Sequence, residues 1–444
     1  MKKSRDNQIF QFCKLELVIS TIIALLVYAG IKYSIFMYFA FFLLLVSILS
    51  SKGNKYILYV LFVFPFSAIF KISIFGSISI LNIIIIVVLL KQLFSYLNGK
   101  ISIDKAELFL WVIVSIYISL SSFGMIIDAM QTVGYFIFIL LFLNSNNKVK
   151  FSVSASSMIL FFIFGLVLSS IMAITKGIYP ELSSLLVYEI TYFGDNDVVR
   201  FSGLFLSSNY YSMVITMAVA FLLVLYDTKV LNKTFFIVLP LLIYFGFLTG
   251  SKSFLVSVLV IFFVYLFWVF FSNIRKGFKT ITILLIILLL FLSFADLTSI
   301  NDVLQRYLYD FQNSFDLSDF TSGRISISLV YLKYIFSDLT VFLFGTGFNS
   351  GPLNDVASHN YILEVFYHLG FMGSLIYFLL VIRLITKNME KKNFNLLLII
   401  PLAVFILRSF AINLFFRDSL YFYIILISSV FYLPRNVEVQ SRIH

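Results

Sequence analysis

The sequence predicts an all-α fold, a polytopic integral membrane bundle of about 12–14 transmembrane helices with a long outer loop containing short interfacial helices. Two observations predict this class. The 444 residues are 61% hydrophobic and 12% charged, with a mean hydropathy of +1.04, whereas soluble domains carry about 25% charged residues. Apolar runs long enough to cross a bilayer also recur along the chain. We therefore expect one transmembrane domain over residues 1–444 and no soluble domain beside it.

The apolar runs define the candidate spans in chain order. Each has about 15 to 25 residues, a length that crosses or nearly crosses the hydrocarbon core. The runs are 15–30, 33–50, 56–75, 77–97, 106–123, 129–143, 153–175, 203–226, 234–250, 253–272, 279–295, 360–385, 394–410 and 419–433. The run at 129–143 is short and the last two are closely spaced, so a bundle of about twelve helices also fits the pattern.

The basic residues predict the orientation of these spans. With a cytoplasmic N-terminus, most of the 32 lysines and arginines fall in short loops on the cytoplasmic side, as the positive-inside rule requires. We therefore expect a multi-pass protein of the cell (inner, cytoplasmic) membrane with both termini cytoplasmic. The net charge of +11 is a topology signal and does not indicate nucleic-acid binding. No cleavable signal peptide is evident, and the single cysteine, Cys13, excludes an intramolecular disulfide.

Two polar segments, 176–202 and 296–358, then lie on the outer face, whereas the cytoplasmic loops are too short to hold a site. Within the longer segment, 301–315 carries its apolar side chains on one helical stripe and predicts an interfacial helix. Thr321 or Ser322 can cap a second short helix at about 325–336. A glycine-containing turn at 345–349 follows.

Ionisable residues on the outer face are the candidate functional groups, because charges at membrane depth are costly. Arg200 precedes one span, Lys252 lies in an outer turn, and Arg408 interrupts an apolar run. Arg324 and His359 stand at predicted helix starts, which attract anions. We expect these groups to converge on one outer pocket suited to an anionic lipid headgroup such as a pyrophosphate.

The run Asp195-Asn196-Asp197 leaves a different chemistry open. Two carboxylates on an outer loop can hold a divalent metal beside a pyrophosphate. A pair of carboxylates in a polar loop is nevertheless common by chance. We therefore assign no metal ligand.

Five short motifs follow one another in the C-terminal half. They are Val199-Arg-Phe-Ser-Gly-Leu-Phe-Leu-Ser-Ser-Asn209, Thr249-Gly-Ser-Lys-Ser253, Ser322-Gly-Arg324, Leu343-Phe-Gly-Thr-Gly347, and Ser358-His-Asn-Tyr-Ile-Leu-Glu364 with Gly370 and Gly373. Their order, with the long outer loop before the last motif, resembles the O-antigen polymerase/ligase superfamily, and is most like a Wzy-type oligosaccharide repeat-unit polymerase. The resemblance covers about 199–385. Members of that family usually have Arg where this chain has Lys252.

The resemblance implies an inverting, metal-independent, membrane-embedded glycosyltransferase without a cofactor. Donor and acceptor would be polyprenyl-pyrophosphate-linked glycans, polymerised into O-antigen or capsular polysaccharide at the outer face. The implied partners are membrane lipids, a chain-length regulator and a flippase. The implied catalytic residues are His359 as general base and Arg324 and Arg200 as pyrophosphate-binding cations. The implied substrate-binding residues are Arg408, Lys252, Asn360, Asn209 and Glu364.

Two other functions stay open. An O-antigen ligase, which moves a finished glycan onto another acceptor, would need the same outer loop and cations. A lipid-linked oligosaccharide flippase or another transporter would instead be expected to show internal repeats with paired broken helices. No repeat between the two halves is evident, so the polymerase is the favoured reading.

Overall fold

The computed structural model of the protein describes residues 13–71, 79–99, 101–120, 126–145, 153–174, 190–193, 196–205, 207–231, 234–275, 277–278, 280–282, 285, 323–347, 358–387, 399–415, 418–431 and 433. Helices dominate these residues, so the predicted helical class is confirmed. The helices of the first half are α1 (Lys14–Gly30), α2 (Ile35–Ser50), α3 (Tyr56–Val63), α4 (Ile80–Leu97), α5 (Lys105–Leu120), α6 (Ile126–Ser145) and α7 (Ala155–Ile174). Those of the second half are α8 (Ser208–Asp227), α9 (Phe235–Leu248), α10 (Lys252–Ser272), α11 (Arg324–Ser337), α12 (Leu339–Phe344), α13 (Tyr361–Thr386), α14 (Ile400–Ser409) and α15 (Asp418–Val430).

One antiparallel hairpin departs from the all-α prediction. Strand β1 (Ile190–Phe193) pairs with β2 (Asn196–Val199) within the predicted outer loop 176–202, with Phe193 opposite Asn196. Both strands contain β-branched residues, and β1 also contains two aromatic residues, which favour extended backbone. The helical prediction missed the hairpin because each strand has only four residues.

Five of these helices are long and apolar enough to cross a membrane by length and composition: Ile80–Leu97, Ala155–Ile174, Ser208–Asp227, Lys252–Phe271 and Tyr361–Thr386. Other predicted spans are shorter in the structure. Over its described residues, 56–71, the run 56–75 forms α3 and a 3₁₀ turn at Phe64–Phe66, because Pro65 lacks the N–H that would continue the helix. The run 394–410 contains the ten-residue α14, whereas 129–143 belongs to the longer α6. The run 279–295 lies largely outside the described residues.

Helix α8 forms the centre of the bundle. It packs against α7, α9, α10, α14 and α15, and most of its length is buried. Its first three turns nevertheless carry polar residues with no exposed surface, Ser208, Ser212 and Thr216. Buried hydroxyl groups need hydrogen-bond partners, and this end of α8 is where the arginines described below converge.

The described part of the predicted long loop forms a second packing unit against α13. Helix α11 matches the predicted helix at 325–336, although its N-cap residue is Gly323 instead of Thr321 or Ser322. Tyr331 and Ile335 of α11 pack against Leu363 and Tyr367 of α13. The short helix α12 was not predicted. The predicted interfacial helix at 301–315 lies outside the described residues.

Helix α13 is interrupted at Gly370, where φ is 65° and ψ is −173°. The interruption leaves carbonyl groups of the preceding turn without helical partners. The segment after α12 fills them, since Thr346 N donates to Tyr367 O at 2.9 Å and Gly347 N donates to His368 O at 3.1 Å. The predicted turn at 345–349 is therefore, as far as it is described, a segment docked on the break in α13.

Candidate functional site: a cationic cavity at one end of the bundle

Arg408 is the most deeply buried cation of the candidate site. It lies near the end of α14 and has no exposed surface. Its guanidinium donates to the hydroxyl groups of Ser253 and Ser212 and, at 3.3 Å, to the backbone carbonyl of Asn209. These three partners are neutral, so its positive charge is hydrogen-bonded by them but not cancelled. Its Nε has no hydrogen-bond partner within the described structure.

Arg200 approaches the same place from the segment that precedes α8. Its side chain is only 6% exposed. Its Nε donates to Thr249 O at 2.9 Å, and one terminal nitrogen donates to Asn209 Oδ1 at 3.0 Å. Thr249 caps the C-terminal end of α9, where exposed carbonyls favour a cation. The neighbouring backbone is also fixed there, because Phe201 N donates to Leu248 O at 3.1 Å.

Asn209 therefore bridges the two arginines, with its side-chain oxygen on Arg200 and its backbone oxygen on Arg408. Its position is set by the start of α8, where Ser207 Oγ accepts the Asn209 N–H at 3.3 Å. The prediction from the sequence placed Asn209 among the substrate-binding residues. The structure shows in addition that it organises the cations.

These residues border a cavity of about 530 Å³, which we call the cationic cavity. Its polar wall contains Arg200, Asn209, Lys252, Arg324, Asn360 and Arg408 with Ser251, Ser253, Ser257 and Ser328. Four of these side chains are basic, and none of the described lining residues is Asp or Glu. Arg324 and Arg408 lie close enough to repel one another electrostatically. Four basic side chains in the lining of one partly buried space give it a positive potential, which favours an anionic ligand.

The lining of the cationic cavity also contains apolar side chains. It includes Ile325, Leu329 and Leu332 of α11, with Val256 of α10 and Phe410 after α14. All five side chains are substantially exposed in the isolated chain. Exposed apolar side chains of a membrane protein are natural contacts for lipid. The cavity therefore combines basic and apolar lining residues, a composition that an anionic amphiphile fits.

His359 lies at the start of α13 but is not among the described residues that line the cationic cavity. It is exposed, and its φ of 54° lies in the left-handed region. A non-glycine residue in that region costs on the order of 1–3 kcal/mol and often marks a functional site. Its neighbour Asn360 does line the cavity, and Asn360 Oδ1 caps α13 by accepting the Leu363 N–H at 3.1 Å.

Glu364 does not line the cationic cavity within the described structure. Its side chain is buried, and its two carboxylate oxygens face other groups of the chain. Oε1 accepts the backbone N–H of Ser358 at 2.6 Å, and Oε2 lies 3.3 Å from His368 Nε2. The structure therefore brings together six of the eight predicted residues in the lining of one cavity, with His359 next to Asn360 and Glu364 outside the described lining. Their predicted roles in catalysis and binding stay predictions.

Sequence reasoning missed the serines that hold Arg408. Ser212 lies on the polar stripe of α8 that Ser208 and Thr216 also share, at helical spacings of four residues. That spacing in an otherwise apolar span was the available signal. Ser253 is the last residue of the motif that begins at Thr249, but no contact with Arg408 could be inferred because the two residues lie in separate helices.

A second polar cavity, of about 430 Å³, provides an internal comparison. Its charges are balanced, since Lys387 Nζ lies 2.6 Å from Glu107 Oε2 and Arg383 lies 3.0 Å from Asp104 Oδ2. A hydrogen bond from the Ala106 N–H, and then the Arg383 contact, hold the pKa of Asp104 below its ordinary value. This second cavity lies at the C-terminal end of α13, whereas Asn360 and the cationic cavity lie at the N-terminal end.

No group of three or more potential metal ligands occurs within the part of the chain that the structure describes. Asp195, half of the alternative carboxylate pair, lies outside that part. The fold and the cavity thus define a helical protein of membrane character with a cationic cavity at one end of its bundle. Comparison with protein-family models, curated proteins and solved structures finds no match to this chain. The residues of this chain are therefore the basis for its proposed function.

Proposed function

We propose that the protein is a membrane glycosyltransferase that polymerises polyprenyl-pyrophosphate-linked oligosaccharide repeat units at the outer face of the cytoplasmic membrane. The observation that carries the proposal is the cationic cavity, whose described lining combines four basic side chains with apolar ones and includes no Asp or Glu. A polyprenyl pyrophosphate has a matching form, with a charged headgroup joined to an apolar chain. Arginine suits the headgroup because its planar guanidinium binds phosphate oxygens bidentately.

In the proposed reaction, a hydroxyl oxygen of the acceptor glycan forms a bond to the anomeric carbon of the donor glycan. The bond between that carbon and the pyrophosphate oxygen breaks, and the configuration at the carbon inverts. His359 takes the proton of the attacking hydroxyl. Arg200, Arg324 and Arg408 offset the negative charge that develops on the departing polyprenyl pyrophosphate.

Positions along α13 support the outer location of this chemistry. The helix has 26 residues, including the break at Gly370, and is long and apolar enough to cross a membrane. Basic residues predicted to be cytoplasmic, Arg383 and Lys387, lie at its C-terminal end. The cationic cavity, formed by basic residues predicted to be outer, adjoins its N-terminal end.

The break in α13 is the one feature that favours a transporter, since broken helices often form transport sites. In transporters the freed carbonyls of such a break line an open site. Here the carbonyls of Tyr367 and His368 already accept hydrogen bonds from Thr346 and Gly347. The break therefore serves packing between segments, and the glycosyltransferase remains the better supported function.

The test uses the purified protein in liposomes with the host's polyprenyl-pyrophosphate-linked repeat unit, and resolves products by size. Wild type is expected to produce a ladder of polymers. Arg324→Ala should reduce turnover by about 10²- to 10³-fold, the cost of removing one transition-state charge donor. Lys333→Ala is the matched control, because Lys333 is an exposed cation on the same helix that does not line the cavity.

Two results would count against the polymerase, and a third would count against a role for the cationic cavity. Transfer of intact polymer to a different lipid acceptor without elongation would support the ligase. Movement of the substrate across the bilayer without new glycosidic bonds would support the flippase. Equal loss of turnover in Arg324→Ala and Lys333→Ala would remove the special role of the cationic cavity.

A further inference from the structure

The pair formed by Glu364 and His368 is the most deeply buried ionisable pair beside the cationic cavity. The two residues lie one turn apart on α13, and their side chains are almost inaccessible, at 3% and 5% exposure. His368 Nδ1 lies 2.7 Å from Gly347 O, and His368 Nε2 lies 3.3 Å from Glu364 Oε2. Its ring also stacks on Phe415, at 5.8 Å between ring centroids.

Backbone groups fix both side chains of this pair. Gly347 O can only accept, so His368 donates to it from Nδ1. This arrangement places His368 Nε2 3.3 Å from Glu364 Oε2 and leaves Glu364 Oε1 to accept the Ser358 N–H.

The pair connects two segments that reach the cationic cavity. Through Ser358, Glu364 holds the turn that ends in Asn360, where Asn360 N also donates to Ser358 Oγ at 3.2 Å. Through Gly347, His368 holds the segment that continues from α11 and α12, and Arg324 is the first residue of α11. Asn360 and Arg324 both line the cavity.

We propose that Glu364 and His368 are positioning residues, which hold Arg324 and the His359–Asn360 turn at the cationic cavity without contacting the substrate themselves. The expected effect of this pair on turnover rests on the proposed function, whereas its expected effect on the position of α11 does not. It reassigns Glu364 from substrate binding to support of the site. The difference is testable because positioning needs hydrogen bonds, whereas binding or proton transfer needs the carboxyl group.

Glu364→Gln and Glu364→Leu separate these roles. The glutamine oxygen can accept the Ser358 N–H, and its amide can donate to Nε2 of a neutral His368 that still donates from Nδ1 to Gly347 O. The hydrogen bonds from Ser358 N–H and to Gly347 O are then preserved, and the two side chains stay in contact. Leucine has a similar size but leaves the Ser358 N–H and His368 Nε2 without these partners, so the support is lost.

The first readout is the position of α11, measured as the distance between spin labels. Labels at Lys333→Cys on α11 and Leu259→Cys on α10 occupy exposed positions. The background is Cys13→Ser, since Cys13 is the one native cysteine. We expect one narrow distance distribution in the unmodified pair and in Glu364→Gln, and a broadened or shifted distribution in Glu364→Leu.

The second readout is polymer synthesis in liposomes. Glu364→Gln should keep turnover within about threefold of wild type, whereas Glu364→Leu should lose on the order of 100-fold, because misplacement by about 1 Å has that effect. If Glu364→Leu does not accumulate in the membrane, His368→Phe replaces it, because phenylalanine keeps the stacking on Phe415 and removes both ring nitrogens.

An unchanged distance distribution in Glu364→Leu, or in His368→Phe where that variant replaces it, would overturn the proposal. So would a Glu364→Gln protein with a native distance distribution and the same loss of turnover as Glu364→Leu, since Glu364 would then act chemically. If wild type makes no polymer, the proposed function fails, and the spin-label distances alone decide whether the pair positions α11.

Discussion

Arg200 and Arg408 meet on a single asparagine. Arg200 donates to the side-chain oxygen of Asn209 and Arg408 donates to its backbone oxygen, at 3.0 Å and 3.3 Å. The arrangement gathers two nearly buried cations around neutral acceptors, with no carboxylate among the described residues that line the cavity. Burial of the Arg408 guanidinium among neutral partners costs stability, and this cost provides a direct way to test its purpose.

Arg408→Met should raise the melting temperature of the purified protein or leave it unchanged, while abolishing binding of a short-chain polyprenyl pyrophosphate. Methionine fills a similar volume without a buried unpaired charge, and such replacements are often neutral or stabilising by about 1–4 kcal/mol. Ser212 and Ser253 keep other hydrogen bonds, to Asn209 O and Ser251 Oγ. The melting temperature checks the predicted stability, and titration with the lipid pyrophosphate checks the predicted loss of binding.

Lys387→Met is the contrasting control for that experiment. Lys387 is paired with the buried Glu107 at 2.6 Å. Its removal leaves a buried carboxylate without that cation, which typically costs about 3–5 kcal/mol. The melting temperature should therefore fall in Lys387→Met. A comparable fall in Arg408→Met would show that Arg408 is retained for stability and not for a ligand.

Asn209→Asp should weaken binding of the same lipid pyrophosphate by about tenfold, equivalent to roughly 1.4 kcal/mol. The substitution keeps the shape of the side chain but introduces a negative charge beside Arg200, and so offsets part of the positive potential. The protein should remain folded, because the new carboxylate still accepts from Arg200. Asn82→Asp, beside Tyr135 and away from the cavity, controls for the charge change. Equal affinity in Asn209→Asp and wild type would contradict an anion site here.

His359→Ala and His359→Asn should both lose polymer synthesis in liposomes. Their melting temperatures should fall no further than those of the control variants Lys333→Ala and Asn82→Asp. Asparagine tolerates the left-handed backbone that His359 adopts, but it cannot serve as a base. The pair of variants thus separates backbone conformation from proton transfer. Retained turnover in His359→Asn, with loss in His359→Ala, would assign to His359 a conformational role only.

Gly370→Ala should lower the melting temperature far more than Gly99→Ala. Both glycines have nearly the same positive φ, 65° and 66°, so both variants carry the backbone cost of about 1–2 kcal/mol. An alanine Cβ at Gly370 would lie 2.3 Å from Gly345 N, whereas one at Gly99 meets nothing within 4 Å. The difference between the two variants measures the docking of the 345–347 segment on α13. Similar melting temperatures would mean that this contact adds little.

The sequence predicted those features that depend on neighbours along the chain. Apolar composition and run length predicted a helical membrane protein, and a capping signal at Thr321 or Ser322 predicted the helix that the structure shows at Arg324–Ser337. The short motifs contain Arg200, Asn209, Lys252, Arg324 and Asn360, and the interruption of an apolar run singled out Arg408; these six residues line one cavity. The binding experiments with lipid pyrophosphate test which ligand this cavity holds.

Tertiary packing decided the features that depend on residues distant in sequence. The hydroxyl groups around Arg408 come from α8 and α10, and no pattern within either helix predicts that they face one guanidinium. The break at Gly370 could form only because Thr346 and Gly347, from a separate segment, supply the donors its carbonyls need. Glu364 likewise looked like a binding residue until the fold set Ser358 and His368 against its carboxylate. Local sequence fixes helix formation and the supply of polar groups, whereas long-range packing fixes which of those groups meet.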